Sequence, residues 1–166
     1  SDYKLKSGDV LKIDFGVEYN GFLADAAITI GIENISGEAR HLIKTTKLAL
    51  DKAIKIAKPG NTLGDIGWAI EKIAHRNALN VIKGLTGHGI GLELHEEPTI
   101  YNFGEKGKGI ELKPGMVLAI EPMFAVGADR IIQRPDESWA TADNSLDAHF
   151  EHTIAITERG PRILTT

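Results

Sequence analysis

The chain reads as an α+β domain of antiparallel strands with two packed helices, and three observations predict it. Val10 to Tyr19 alternates strictly, with Leu11, Ile13, Phe15, Val17 and Tyr19 on one side and Val10, Lys12, Asp14, Gly16 and Glu18 on the other. Period-two alternation marks a half-buried strand. Asn20-Gly21 follows at once, the strongest short-range signal for a tight hairpin. Two capped stretches of helical periodicity then interrupt strand-like sequence, a pattern that lays helices against a sheet.

Each element follows from its residues. Phe22 to Ile30, rich in Ala, Ile and Thr, is the returning strand of the hairpin. Ser36 is a good N-cap for a helix reaching about Ala57, with Leu42, Ile43, Thr46, Leu50, Ala53 and Ala57 near one face and Pro59-Gly60 as its stop. Thr62 and Asp65 have the spacing of a capping box and open a second helix through Ile66, Ile70 and Ile73. A short strand is expected near Val81 to Gly84. Lys113-Pro-Gly115 turns the chain into the apolar strand Met116 to Ile120, which ends at Glu121-Pro122. Asp129 to Asp147 reads as a loop or short hairpin. His149 to Thr157 is the last strand, before the turn Glu158-Arg-Gly-Pro161. No repeat, low-complexity tract or linker divides residues 1–166, which read as a single domain.

Composition narrows the class. At 166 residues, 42% hydrophobic and 25% charged, the chain has the make-up of an ordinary globular protein with a real core. A net charge of −4 argues against a nucleic-acid partner, which would call for a clustered basic face; Lys52 to Lys58 sits at helical spacing and reads as a solvated helix surface. There is no cysteine, so disulfides and thiolate metal sites are excluded and a cytoplasmic setting is expected. No apolar run reaches the ~18–20 residues of a membrane span, and Ser1-Asp-Tyr-Lys-Leu-Lys does not read as a signal peptide.

The chemistry concentrates in acids and histidines. With a two-residue turn, Tyr19 pairs Phe22 and Asp25 lies opposite Gly16, so Asp14 and Asp25 project from one face, one diagonal step apart. Such neighbours stand ~7–8 Å apart at the backbone, within reach of a common cation. A surface reading would suit most hairpins, but Asp25 shares its face with Leu23, Ala27 and Thr29. Two like charges there are unfavourable without a proton or a cation. Glu121 and Glu151 repeat the pattern beside the apolar runs Val117-Leu-Ala-Ile120 and Thr153-Ile-Ala-Ile156. Upstream, the segment Thr86-Gly-His-Gly-Ile-Gly-Leu-Glu-Leu-His-Glu-Glu-Pro98 places His88 and His95 among glycines. Carboxylates with neutral imidazole are the ligands of a di-metal hydrolase, whose cations share and activate a water. Seven residues apart, the two histidines would lie on opposite faces of an extended strand, so one ligand and one substrate-facing group is the expected division. His41 and His75, on the helices, are read as solvent-facing or capping.

Other catalytic motifs fail. Thr99 stands where a zinc-binding His-Glu-x-x-His helix needs its second histidine, and Pro98 would break that helix. There is no Gly-x-Ser-x-Gly elbow and no phosphate-binding loop, and Gly87-His-Gly-Ile-Gly91 lacks the spacing of a dinucleotide fingerprint.

Five segments carry a family resemblance: Leu11-Lys-Ile-Asp14-Phe-Gly, Gly21-Phe-Leu-Ala-Asp25, Gly87-His88-Gly-Ile-Gly-Leu-Glu-Leu-His95-Glu-Glu-Pro, Gly115-Met-Val-Leu-Ala-Ile-Glu121-Pro-Met and Phe150-Glu151-His-Thr-Ile. Together, in order and over essentially the whole chain, they resemble the methionine aminopeptidases of the pita-bread fold. The resemblance implies two divalent cations (Mn, Fe, Co or Zn), bridged by Asp25 and Glu151, with Asp14 completing one and His88 and Glu121 the other. It implies that Glu121 helps deprotonate a water, that His95 contacts the scissile peptide, and that the substrate is a peptide with N-terminal methionine followed by a small residue. Trp139 sits where such enzymes often place an aromatic in the side-chain pocket. The 30-residue interval from Glu121 to Glu151 resembles type I enzymes.

The nearest rival is the Xaa-Pro aminopeptidase and prolidase branch, which shares the five ligands; Glu121-Pro-Met123 favours the methionine branch. A non-catalytic binding module of the same fold is the reading from another class. Leu94 departs from the aromatic common before that histidine, and His149 stands where many relatives have Gln. His149 shares a strand face with Glu151, which suggests a place near the metals. The family also carries a substantial part ahead of the first aspartate strand, supplying another histidine and much of the methionine pocket. Its lack leads us to expect a truncated catalytic piece with exposed apolar surface, a route to dimerisation in a family of monomers, and leaves open whether the piece is active as it stands.

Overall fold

The computed structural model describes residues 2–166. Asn20 and Gly21 both adopt positive φ, 52° and 78°, the left-handed pair that lets two strands reverse within two residues. They join β1 (Val10–Tyr19) to β2 (Phe22–Gly31) in the expected register: Tyr19 opposite Phe22, Gly16 opposite Asp25 and Asp14 opposite Ala27. Helix α1 (Gly37–Ile56) starts under the Ser36 cap, whose side chain accepts from the Ala39 N–H at 3.0 Å. Helix α2 (Leu63–Arg76) opens with a complete capping box: Thr62 Oγ1 accepts from Asp65 N, and Asp65 Oδ2 accepts from Thr62 N. These bonds satisfy amide groups that a helix start otherwise leaves orphaned. His41 caps the other end of α2, its Nε2 lying 3.0 Å from the Asn77 carbonyl oxygen.

After the helices the chain is strands and turns: β3 (Asn80–Val81), β4 (Gly87–Gly89), β5 (Glu96–Ile100), β6 (Val117–Ile120), β7 (Met123–Ala125), β8 (Ile131–Gln133), β9 (Trp139–Thr141), β10 (Asp147–His149), β11 (Glu151–Thr157) and β12 (Gly160–Ile163). The main sheet runs β1-β2-β11-β6-β4-β5, with β12 paired to β11. A second sheet runs β10-β7-β3, and β8-β9 form a separate hairpin within the region expected to be loop or hairpin. Leu42 and Leu50 of α1, Ile66 and Ile70 of α2, and Leu118, Ile120, Phe124, Ile154 and Ile156 of the strands are fully buried in one cluster. Each such side chain contributes ~1.5–3 kcal/mol of transfer free energy, and the cluster fixes the sheet on the helices.

Three strands differ from the sequence reading. The expected last strand, His149 to Thr157, is two strands in two sheets, because the chain changes sheet at Phe150. The expected strand near Val81 to Gly84 is only the pair Asn80–Val81, which extends the small sheet. The apolar side of β1 is not half-buried: Ile13, Phe15, Val17 and Tyr19 are exposed, as are Phe22, Ile28 and Ile30 of β2. β1 is an edge strand of the main sheet.

The seam between the two sheets positions the chemistry. From β6 the chain crosses to β7 through Glu121-Pro122, and from β10 to β11 through Phe150. The crossings lie side by side, with Phe150 N donating to Pro122 O. Glu121 and Glu151 therefore flank the same seam, facing the inner side of β1 and β2.

A candidate metal centre

Each acidic side chain reaches this centre by a distinct local device. Asp25 is buried, and its backbone is gripped by Thr153 of β11: Asp25 N donates to Thr153 Oγ1, which donates in turn to Asp25 O, both at 2.8 Å. One hydroxyl thus satisfies both main-chain groups of a residue on the neighbouring strand. Glu121 is held from its carbonyl, which accepts from Nδ2 of the buried Asn102 at 2.9 Å. Asp14, on the edge strand, keeps half of its side chain open to solvent.

His88 is a buried imidazole of the site. Its Nδ1 lies 2.9 Å from the Gly89 carbonyl oxygen, which can only accept, so Nδ1 carries the hydrogen. Nε2 faces Glu121, 3.5 Å from Oε1. Fixing one ring nitrogen to a carbonyl so that the other is free is how ligand histidines are commonly oriented. Glycine is required beside it: a Cβ at Gly87 would collide with the Ala119 carbonyl oxygen, and one at Gly89 with the Glu97 carbonyl oxygen. Close approach of three backbones, not left-handed φ, is what these glycines permit.

The histidines do not lie on opposite faces of a strand, as the sequence suggested. Strand β4 stops at Gly89, and the Glu96 carboxylate accepts from Leu92 N and Glu93 N, both at 2.8 Å, folding residues 91–95 into a bend. The bend returns the exposed His95 ring edge-on to His88, with centroids 4.5 Å apart. Ligand atoms of Asp25, His88 and His95 lie within 4.8 Å of one another, as do those of His88, Glu121 and Glu151 and those of Asp14, His149 and Glu151.

Glu151 tests whether a cation suits this cluster. The residue is only 2% exposed and its Oε1 has no hydrogen-bond partner. Burial, reinforced by the charges of Glu121, Asp25 and Asp14, pushes its carboxyl up to about 9. Four converging carboxylates with one orphaned oxygen are unfavourable alone and suited to divalent cations, so Asp14, Asp25, His88, Glu121 and Glu151 fit such a group.

A cavity of about 250 Å³ opens beside the cluster, lined by Asp14 and His149 at its floor and by Ile82, Met123, Ile131 and Trp139. Trp139, half exposed on β9, forms part of its wall. Lys12 and Asp147 pair on its rim.

Sequence reasoning brought all five proposed ligands, His95 and Trp139 to this region, but missed what holds them. Asn102, Thr29, Thr153 and Glu96 are ordinary polar residues along the chain, and only burial and partner geometry distinguish them.

The family model described as metallopeptidase family M24 matches residues 1–158. The chain belongs to this family. Among M24 relatives, methionine aminopeptidase of Clostridium perfringens is 47% identical over 98% of this chain and 66% of its own length. Methionine aminopeptidase 1 of Bacillus subtilis is 44% identical, over 97% and 65%. This chain thus spans just under two thirds of the length of these relatives. Among solved M24-like structures, methionine aminopeptidase from Thermotoga maritima superposes with a TM-score of 0.95 at 44% identity, covering 97% of this chain and 65% of that one. Prolidase from Pyrococcus furiosus superposes at 0.76 with 29% identity, covering 100% and 44%. The α+β arrangement is the pita-bread fold of both.

Proposed function

We propose that this M24 chain is the catalytic part of a metal-dependent aminopeptidase that removes N-terminal methionine from peptides. The observation that carries the reading is the gathering of Asp14, Asp25, Glu121 and His88 about the buried Glu151, whose Oε1 is unpartnered. Asp25 and Glu151 would be shared between two divalent cations, Asp14 would complete one position, and His88 with Glu121 the other. Cations held there supply Lewis acidity, making a water nucleophilic and polarising a carbonyl. Glu121, half-buried at the seam, takes the proton of the attacking water on a carboxylate oxygen. His95, exposed at the mouth and braced against His88, donates to the scissile carbonyl as its oxygen gains charge. Trp139 and the cavity receive the methionine side chain, and a small second residue fits beside the rim. The reading places the reaction in the cytoplasm, and no helix among the described residues is long and apolar enough to cross a membrane.

Methionine preference over proline-directed hydrolysis is supported by the much higher identity to methionine aminopeptidases than to prolidases. Assay of the Mn²⁺-loaded chain on Met-Ala-Ser and on an Xaa-Pro dipeptide tests this. Release of methionine, lost with a chelator and cut ~100-fold or more by Glu121→Gln, is the expected result. Cleavage of the Xaa-Pro substrate alone would assign the prolidase reaction. Mn²⁺ binding without either cleavage would leave a binding module.

A further inference from the structure

His149 occupies the centre without a part in the reaction just described. It is 8% exposed, and its ring lies between two carboxylates: Nδ1 is 3.6 Å from Asp14 Oδ2, and Nε2 is 3.2 Å from Glu121 Oε2. The second approach is close but lacks hydrogen-bond alignment, so Nε2 is buried with no hydrogen-bond partner. A ring nitrogen of His149 also lies within 4.8 Å of ligand oxygens of Asp14 and Glu151.

The backbone of His149 is held as firmly as that of Asp25 and by the same device. His149 N donates to Thr29 Oγ1 at 2.9 Å, and Thr29 Oγ1 donates to His149 O at 2.6 Å. Thr29 is itself buried on β2, four residues beyond Asp25. Two threonine clamps thus tie three strands around the cluster, one setting Asp25 and the other His149.

We propose that His149 is a sixth metal ligand of this chain, giving a ring nitrogen to the cation position shared by Asp14 and Glu151. The inference rests on the metal-centre reading above. Without His149 that position is an all-carboxylate site suited to Mg²⁺ and Mn²⁺ alike. With it, each cation position has one imidazole, His88 on one side and His149 on the other, and the Asp14 side shifts toward the transition metals.

Calorimetric titration of the metal-free chain and of His149→Gln with Co²⁺ tests the inference, alongside X-ray absorption of the loaded proteins. The expected result is ~10-fold or greater loss of affinity for one of two cations in the variant, and one fewer imidazole per protein around cobalt. Equal affinity and equal imidazole count in the two proteins would overturn it. So would a variant that loses metal-free thermal stability yet binds cobalt as before, which would make His149 only an ion-pair partner of Asp14 and Glu121. Should the variant not fold, the imidazole count of a His95→Ala chain decides: two supports the inference and one refutes it. A wild type that takes up no cobalt would refute the metal-centre reading itself, a separate result.

Discussion

Glu151 shows at the scale of one residue why this site calls for a cation. Its side chain is buried among three other carboxylates, and its Oε1 has no partner. With its carboxyl pushed up to about 9, Glu151 must take up a proton to stay buried at neutral pH without metal, a cost the unfolded chain does not bear. Glu151→Gln removes that protonation cost and keeps the shape, so it should stabilise the metal-free protein at neutral pH by on the order of 1 kcal/mol or more. The same change should abolish the gain from Mn²⁺, which for the wild type is about 2.7 kcal/mol at a hundredfold excess over Kd. Urea unfolding with chelator and with Mn²⁺ reads both effects. A variant less stable than wild type without metal, yet still stabilised by Mn²⁺, would contradict the account.

At the scale of elements, local sequence sets helix ends, and the α2 capping box is the clearest case. Burial pushes the Asp65 carboxyl up, but bonds from Thr62 N–H, the Thr62 hydroxyl and Gly107 N–H, with the charge of Lys106, outweigh it and hold it below its usual value. A carboxyl depressed in the folded state adds stability above its unfolded value and loses it as pH falls through the folded one. The difference in melting temperature between wild type and Asp65→Ala should therefore be full at pH 6 and shrink as pH drops below about 4. A difference independent of pH would mean that Asp65 acts by shape alone. The hairpin register and both helix starts were legible in the chain because turn and cap chemistry is local: Asn20-Gly21, Ser36 and Thr62-Asp65 each act within a few residues. The break at Phe150 was not legible, since nothing in His149 to Thr157 marks a change of sheet.

For the whole molecule, the side of the β1–β2 hairpin opposite the carboxylates is apolar and open, with Phe15 61% and Tyr19 75% exposed. Exposed apolar surface on an edge strand favours self-association. Sedimentation at rising concentration should show reversible assembly of the wild type, displaced toward monomer by Phe15→Lys. Assembly of equal strength in the variant would place the contact elsewhere. The substitution lies on the face away from Asp14 and Asp25, so cation binding should survive it.

The sequence by itself determined the chemistry available: which carboxylates enter β structure, which histidine has glycines about it, and that Asp14 and Asp25 share a face. Those facts follow from period-two alternation and a two-residue turn, both short-range. It also marked His149 as near Glu151 by strand alternation, and here the place was right while the reason was not. The two residues lie in different strands of different sheets, brought together at the seam by packing. Only the tertiary structure decided that His95 bends back onto His88, that Thr29 and Thr153 clamp opposite ends of one centre, and that Glu151 is left without a partner. Such long-range contacts depend on how the sheets cross over the buried core, and no local pattern encodes that crossing.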